Sequence, residues 1–327
     1  MEAEKVDRRL LCVKDLRTYF YTELGIVRAV DGISFSVGYG DTLGILGESG
    51  SGKSVTALSI LRLIASPPGR IESGEIFFEG QNVMSLPIAQ MKKIRGNRIS
   101  MIFQEPIISL NPVLKTGEQV SEAIRLHQGL SRRRAWEASI EMLRMVGIPS
   151  PEKRVNDYPH QMSGGMCQRI MIAIAISCQP GLIIADEPTT ALDVTIQAQI
   201  LDLLQKLTRD TGTSILLISH NIGVLAEMVQ EAIVMYCGKI MEYGTIEDIL
   251  EHPCHPYTED LLRSVPRLDQ QLPRLNAIPG VVPSLLDLRE GCRFSDRCKK
   301  SLEKCIREEP PLIELGSNHY TRCWLHE

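Results

Sequence analysis

An acidic pair, Asp186-Glu187, closes the apolar run Gly181-Leu182-Ile183-Ile184-Ala185, and a third carboxylate, Asp193, follows six residues later. Adjacent carboxylates at the mouth of a buried strand suit a divided task. One can hold a hydrated Mg2+ ion while the other takes a proton from an attacking water. A second stretch, Gly47-Glu48-Ser49-Gly50-Ser51-Gly52-Lys53-Ser54, fits G-x-x-x-x-G-K-[ST] and runs on through Val55 into an apolar-periodic segment. Glycines let backbone N–H groups wrap a phosphate without Cβ clashes, and a helix N-terminus adds positive potential there. Lys53 reaches the β and γ phosphates, and the Ser54 hydroxyl can ligate Mg2+. The two stretches together predict nucleotide hydrolysis, with Asp186 holding Mg2+ through water opposite Ser54 and Glu187 polarising the water.

These residues need strands that end where the chemistry starts. Thr42-Leu43-Gly44-Ile45-Leu46 and Leu182 to Ala185 are short, continuously apolar runs, as in parallel strands buried on both faces. Residues 11 to 46 read as short strands. A helix is expected from Ser54 to about Ile64 on the stripe Val55, Leu58, Leu61 and Ile64, closed by Ser66-Pro67-Pro68-Gly69. Residues 105 to 180 read as a helical insert, with Ser131 as an N-cap ahead of Trp136, Ile140 and Leu143. A helix through Ile196, Ile200, Leu203 and Leu207, a strand Ser214 to Ser219 and a hairpin turning at Cys237-Gly238 complete an α/β fold with a parallel sheet. Prolines and cysteines crowd the chain after Gly244, which sets a domain boundary near residue 245, with a loop-rich appendix over 246–327.

The chain has 327 residues, 43% of them hydrophobic, and a net charge of −4. A basic face, the usual footprint of nucleic-acid binding, is not expected. The opening MEAEKVDRRL lacks the apolar core of a secretory signal, and no apolar stretch approaches the ~20 residues of a membrane span. Nine cysteines without an export signal point to a reducing compartment, with thiols or metal ligands favoured over disulfides.

Between the two chemical stretches lies Met162-Ser163-Gly164-Gly165-Met166, ahead of an apolar helix. Taken with the order of the other motifs, the chain resembles the ATP-binding subunit of an ABC transporter, whose signature is usually written LSGGQ. Met166 stands where the signature has Gln. The resemblance implies a P-loop cassette with a mixed sheet and helical insert over residues 1–245. It also implies that Ser163, Gly164, Gly165 and Met166 bind the γ phosphate of an ATP held by a partner cassette. By the same resemblance Gln104, in Ile102-Phe103-Gln104-Glu105, is the Q-loop glutamine that touches Mg2+ or water, and Asp193 crosses the dimer seam. His220 is the switch histidine at the γ phosphate, and Phe20 stacks on adenine with Tyr19 and Tyr21 as competitors.

The appendix sharpens the resemblance. His255-Pro256-Tyr257-Thr258, Leu261-Leu262-Arg263-Ser264-Val265-Pro266, Ile278-Pro279-Gly280 and Gly291-Cys292-Arg293-Phe294 are similar to the C-terminal extension of ATPases that energise dipeptide and oligopeptide importers. Cys292, Cys298, Cys305 and Cys323 are separated by five, six and seventeen residues. Four thiolates can ligate Zn2+ or an iron-sulfur cluster, and the spacing does not decide between them. Nearby Arg293, Arg297, Lys299, Lys300, Lys304 and Arg322 would favour thiolates. The resemblance favours a 4Fe-4S cluster, with Zn2+ as the alternative, ordering a segment too small to build its own core. Cys12, Cys167, Cys178, Cys237 and Cys254 read as small apolar residues. The family implies a second, related but non-identical ATPase subunit, two transmembrane permease subunits and an extracytoplasmic solute-binding protein. It places the chain peripherally on the cytoplasmic face of the plasma membrane, with peptides as the usual cargo and nickel or other small solutes as alternatives. A soluble, non-transport ABC ATPase is the rival reading.

Overall fold

A computed structural model describes residues 9–190, 192–264, 278–286, 288, 290–316 and 318–327. The Val265-Pro266 pair and most of the opening decapeptide lie outside the described residues. Twelve strands are present among them: β1 (Arg9–Thr22), β2 (Gly25–Gly38), β3 (Thr42–Leu46), β4 (Gly69–Phe78), β5 (Gln81–Asn82), β6 (Ile99–Ile102), β7 (Leu182–Asp186), β8 (Ser214–Ser219), β9 (Glu231–Tyr236), β10 (Lys239–Thr245), β11 (Ile313–Gly316) and β12 (His319–Thr321). The chain divides into two compact units. One is built on Val37–Asp41 and Ser85–Leu217, the other on Leu11–Ser36, Thr42–Met84 and Ile218–Glu327.

In the first unit β6 pairs parallel with β7, Ile99 opposite Leu182 and Ile102 opposite Ala185, and β8 lies beside β7. Every residue of β7 and β8 is buried, which is why both read as unbroken apolar runs instead of alternating ones. The insert is helical, as its periodicity predicts, with helices at Thr116–Gln128, Arg132–Met145 and Gly164–Ile176. Ser131 caps the second of these by accepting the Arg134 N–H at 3.4 Å. Its buried stripe runs through Ala135, Ser139 and Leu143, while Trp136 and Ile140 flank it half-buried.

The second unit holds an antiparallel sheet ordered β2-β1-β4-β5 and a run of strands ordered β11-β12-β10-β9-β3. Residues 11 to 46 differ from their expected short strands: β1 and β2 are each 14 residues long. Polar positions such as Asp15 and Arg17 interrupt the hydrophobic alternation without ending β1, because a bulge with Asp15 at φ 44° absorbs them. The helix after the glycine loop spans Lys53–Ile60 instead of reaching Ile64. Arg62 at φ 52° turns the chain before the two prolines can. The hairpin turns where expected, with Cys237 at φ 44° and Gly238 at φ 81°. Past residue 245 the chain returns: β12 pairs antiparallel with β10, Tyr243 opposite Tyr320, so the extension continues the sheet.

That extension also packs aromatic side chains onto the sheet. Tyr257 and Phe294 are fully buried, and each packs on Tyr236 of β9, with ring centroids 4.7 and 5.3 Å away. Three aromatic rings bury a large apolar surface, which anchors this proline-rich segment to β9.

Candidate nucleotide site and cysteine lobe

The glycine loop leaves β3 at Leu46 and enters the helix Lys53–Ile60 through Gly52, its N-cap, at φ 103°. A Cβ on Gly52 would stand 2.3 Å from the Ala29 carbonyl oxygen, and one on Gly47 2.3 Å from that of Met235. Only glycine fits this path. Lys53 is buried and its Nζ donates to the Gly47 and Glu48 carbonyls at 2.7 and 2.9 Å, so the ammonium is folded over the loop it serves. Ser51 is buried, and its Oγ has no hydrogen-bond partner among the described residues. The β9–β10 turn braces the loop from behind, the Gly238 N–H donating to the Ser51 carbonyl at 2.9 Å. Ser54 and Val55 occupy the first turn of the helix, and His220 follows β8 and is exposed.

Phe20 is half-buried on β1, opposite Gly69 of β4. Its neighbours are engaged elsewhere. The Tyr19 hydroxyl donates to Asp31 at 2.7 Å, and the Tyr21 hydroxyl donates to Glu72 at 2.8 Å.

In the first unit Asp186 ends β7 and is buried, and Glu187 follows at φ 47°. The turned backbone brings its carboxylate to two neutral donors: Gln104 Nε2 at 2.9 Å and Thr190 Oγ1 at 2.8 Å, both on Oε2. The structure therefore joins Gln104 to Glu187 across 83 positions of sequence. Ser163 caps the helix Gly164–Ile176 by accepting the Met166 N–H at 3.3 Å, and the space in front of Gly164 is open. Asp193 caps the helix Val194–Thr211 through the Ile196 N–H at 2.9 Å.

The four cysteines of the extension share one lobe. The Cys292 N–H donates to the Cys305 carbonyl at 2.7 Å, and Cys305 and Cys323 are buried. Desolvation pushes the Cys292 thiol up to about 12 and raises those of Cys298 and Cys323, with the other thiols of the group adding to it. Carboxylates pair with five of the six cations expected around the thiols, while Lys300 still opposes the rise at Cys323. Arg293 pairs with Asp31, Arg297 with Glu48, Lys300 with Glu259, Lys304 with Glu327 and Arg322 with Glu309.

One of the cysteines read as merely apolar has polar company. Cys254 lies beside Glu242 and His319, the three ligand atoms within 4.8 Å of one another. The fully buried Glu242 carboxylate accepts the Cys254 N–H at 2.7 Å and the His255 N–H at 2.9 Å, with His319 Nε2 2.8 Å away. Both of its oxygens are engaged, and we read the group as the clasp holding the Pro256–Ser264 helix and β12 to β10. A charged residue inside a strand followed eleven residues on by Pro-Cys-His was the signal for it.

Residues 30–190 match the family model described as ABC transporter, and residues 241–305 match that of the oligopeptide/dipeptide transporter C-terminal region. The oligopeptide transport ATP-binding protein AppD of Bacillus subtilis is 49% identical over 318 residues, covering 97% of both chains. The oligopeptide transport ATP-binding protein OppD of Haemophilus influenzae is 48% identical, again covering 97% of both. Among solved structures, the dimeric post-hydrolysis state of the ATP-binding cassette MJ0796 bound to ADP and Pi superposes with a TM-score of 0.65 at 27% identity, over 72% of this chain and 98% of that one. With identity near one half along almost its whole length and a glycine loop, acidic pair and signature in family order, this chain belongs to the ATP-binding subunits of the oligopeptide/dipeptide ABC importers.

Proposed function

We propose that the chain hydrolyses MgATP to drive peptide import, dividing the work as follows. Lys53 and the amides of residues 47–54 hold the phosphates, Ser54 and Asp186 hold Mg2+, and His220 contacts the γ phosphate. Phe20 stacks on adenine. Glu187 is the general base, and the observation that carries this assignment is the fixing of its carboxylate by Gln104 and Thr190. Both donors are neutral, so they orient the group and leave it a proton acceptor. Because Gln104 opens the helical insert, motion there is tied to the base. Substitution Glu187→Gln keeps the size and the hydrogen-bonding capacity. It should leave MgATP binding intact and lower hydrolysis by about 10²-fold or more, the usual share of a general base. Undiminished hydrolysis would remove Glu187 from that role.

The cassette works as half of a pair: Ser163, Gly164, Gly165 and Met166 complete the site of a related, non-identical ATPase subunit, with Asp193 at the seam. Phe103, Ile107, Ile108 and Val113, exposed apolar residues around Gln104, form the face offered to the two permease subunits. Through them the complex serves an extracytoplasmic solute-binding protein, and the chain sits peripherally on the cytoplasmic membrane face. No helix among the described residues is long and apolar enough to cross a membrane.

Cys292, Cys298, Cys305 and Cys323 would hold a 4Fe-4S cluster, whose part is structural, cross-linking the extension. One observation supports it over Zn2+: among the described residues no three of these sulfurs form a group within 4.8 Å. Tetrahedral zinc with Zn–S bonds of about 2.3 Å would draw its ligands closer than that. Thiols raised by burial also need a metal's charge to ionise. Protein purified without oxygen should carry iron and acid-labile sulfide in equal amounts with visible charge-transfer absorption. Stoichiometric zinc instead would overturn the cluster.

A further inference from the structure

Glu48, the second residue of the glycine loop, is held from the C-terminal extension at both backbone and side chain. Its N–H donates to the Tyr257 hydroxyl at 3.0 Å. Its carboxylate receives a fork from Arg297, Nη1 to Oε2 at 2.7 Å and Nη2 to Oε1 at 3.2 Å. The guanidinium is itself fixed: its side chain is 4% exposed, Nε donates to the Pro279 carbonyl at 2.9 Å and Nη1 to the Tyr236 hydroxyl at 3.3 Å. It also lies over the Tyr236 and Phe294 rings, 5.7 and 5.9 Å from their centroids. The third polar group of Glu48, its carbonyl, accepts from Lys53. Whatever fixes Glu48 therefore also sets where the loop lysine rests.

A phosphate cradle works by concentrating positive potential, from N–H dipoles and from the lysine. A carboxylate at its second position opposes that potential unless its charge is cancelled and its side chain drawn aside. A rigid bidentate guanidinium does both, which an ammonium would not. We infer that Arg297 and Tyr257 are positioning residues of the nucleotide site, so that the C-terminal extension supplies the half of the phosphate loop that keeps Glu48 neutralised. This rests on the glycine loop being the phosphate site, as proposed above.

The test uses the full chain titrated with MgATP, MgADP and adenosine. Substitution Arg297→Met should weaken MgATP binding by about tenfold or more, the cost of leaving a charge unpaired at a binding site. MgADP should lose less and adenosine nothing, since repulsion by Glu48 grows with phosphate charge. Adding Glu48→Gln should restore MgATP affinity to within about threefold of Glu48→Gln alone, because the pair is coupled and the opposing charge is gone. An Arg297→Met chain that binds MgATP as the wild type does, or one that loses all three ligands equally and is not rescued by Glu48→Gln, overturns the inference. If Arg297→Met does not fold, Tyr257→Phe takes its place: it removes one hydroxyl and should weaken MgATP about threefold or more at an unchanged melting temperature, the effect of one lost hydrogen bond. Unchanged affinity there overturns the inference too. Lys53→Ala separates the two readings. If wild-type MgATP binding does not depend on Lys53, the phosphate-site reading fails; if it does and Arg297→Met is silent, only the inference fails.

Discussion

Glu48 and Glu187 are carboxylates in loops that leave parallel strands, and their partners give them opposite roles. Glu187 accepts from an amide and a hydroxyl, two neutral groups that aim its carboxylate. Glu48 faces a buried guanidinium, which cancels it. Neither partner follows from sequence position, because Gln104 and Arg297 lie 83 and 249 residues away. The chemistry-bearing residue types were legible in the sequence because their spacing follows phosphate geometry. Their supporting shell was not, because it depends on tertiary packing. His255 illustrates the same limit. It is buried, its Nδ1 accepts the Tyr257 N–H at 3.0 Å, and desolvation lowers its pKa from 6.5 to about 3. Above pH 6.5 the imidazole is neutral in folded and unfolded chains alike, so its full contribution to stability is present there. Below that pH the unfolded chain takes a proton that folded His255 refuses until pH falls to about 3, and stability declines across this window. The slope approaches about 1.4 kcal/mol per pH unit for one proton. Substitution His255→Gln should flatten the fall in melting temperature between pH 7 and 5 relative to wild type; an identical fall in both chains would show that His255 does not titrate on unfolding.

At the scale of elements, β3, β7 and β8 were readable because burial on both faces leaves an unbroken apolar signature. The pairing of β12 with β10 was not, because three residues of half-polar sequence, His319–Thr321, carry no period. The glycine loop was readable down to its individual glycines, and the structure ranks them. Gly50 sits at φ 80° with nothing within 4 Å of where a Cβ would stand, whereas Gly52 combines φ 103° with a Cβ that would meet the Ala29 carbonyl at 2.3 Å. Substitution Gly50→Ala should cost only backbone strain, about 1–2 kcal/mol. Gly52→Ala adds a collision with backbone that cannot step aside, so it should cost more than Gly50→Ala and weaken MgATP binding by displacing the start of the Lys53–Ile60 helix. Thermal melts of the two variants, with an equal drop in both, would dismiss the steric account.

The whole molecule is the scale at which the proposed pairing of cassettes bears on two helix tips, one behind the glycine loop and one at Ser163. On that proposal the tip at Ser163 caps its own helix and also serves the partner's nucleotide. Substitution Ser163→Asp separates the tip's structural duty from this one. Aspartate caps helices as well as serine does, so the helix Gly164–Ile176 keeps its N-terminal hydrogen bond. It also places a negative charge where the partner's γ phosphate would lie, replacing a donor with a repulsive group. MgATP binding by the isolated chain should therefore stay within about twofold of wild type, because a cap-preserving exchange leaves its own glycine loop untouched. Hydrolysis by the assembled transporter should fall by about tenfold or more, within the range seen when a single preorganised donor to a developing charge is lost. Full hydrolysis in the assembled Ser163→Asp complex would mean that the partner's phosphate never meets this helix tip, and the paired-cassette reading would fall with it.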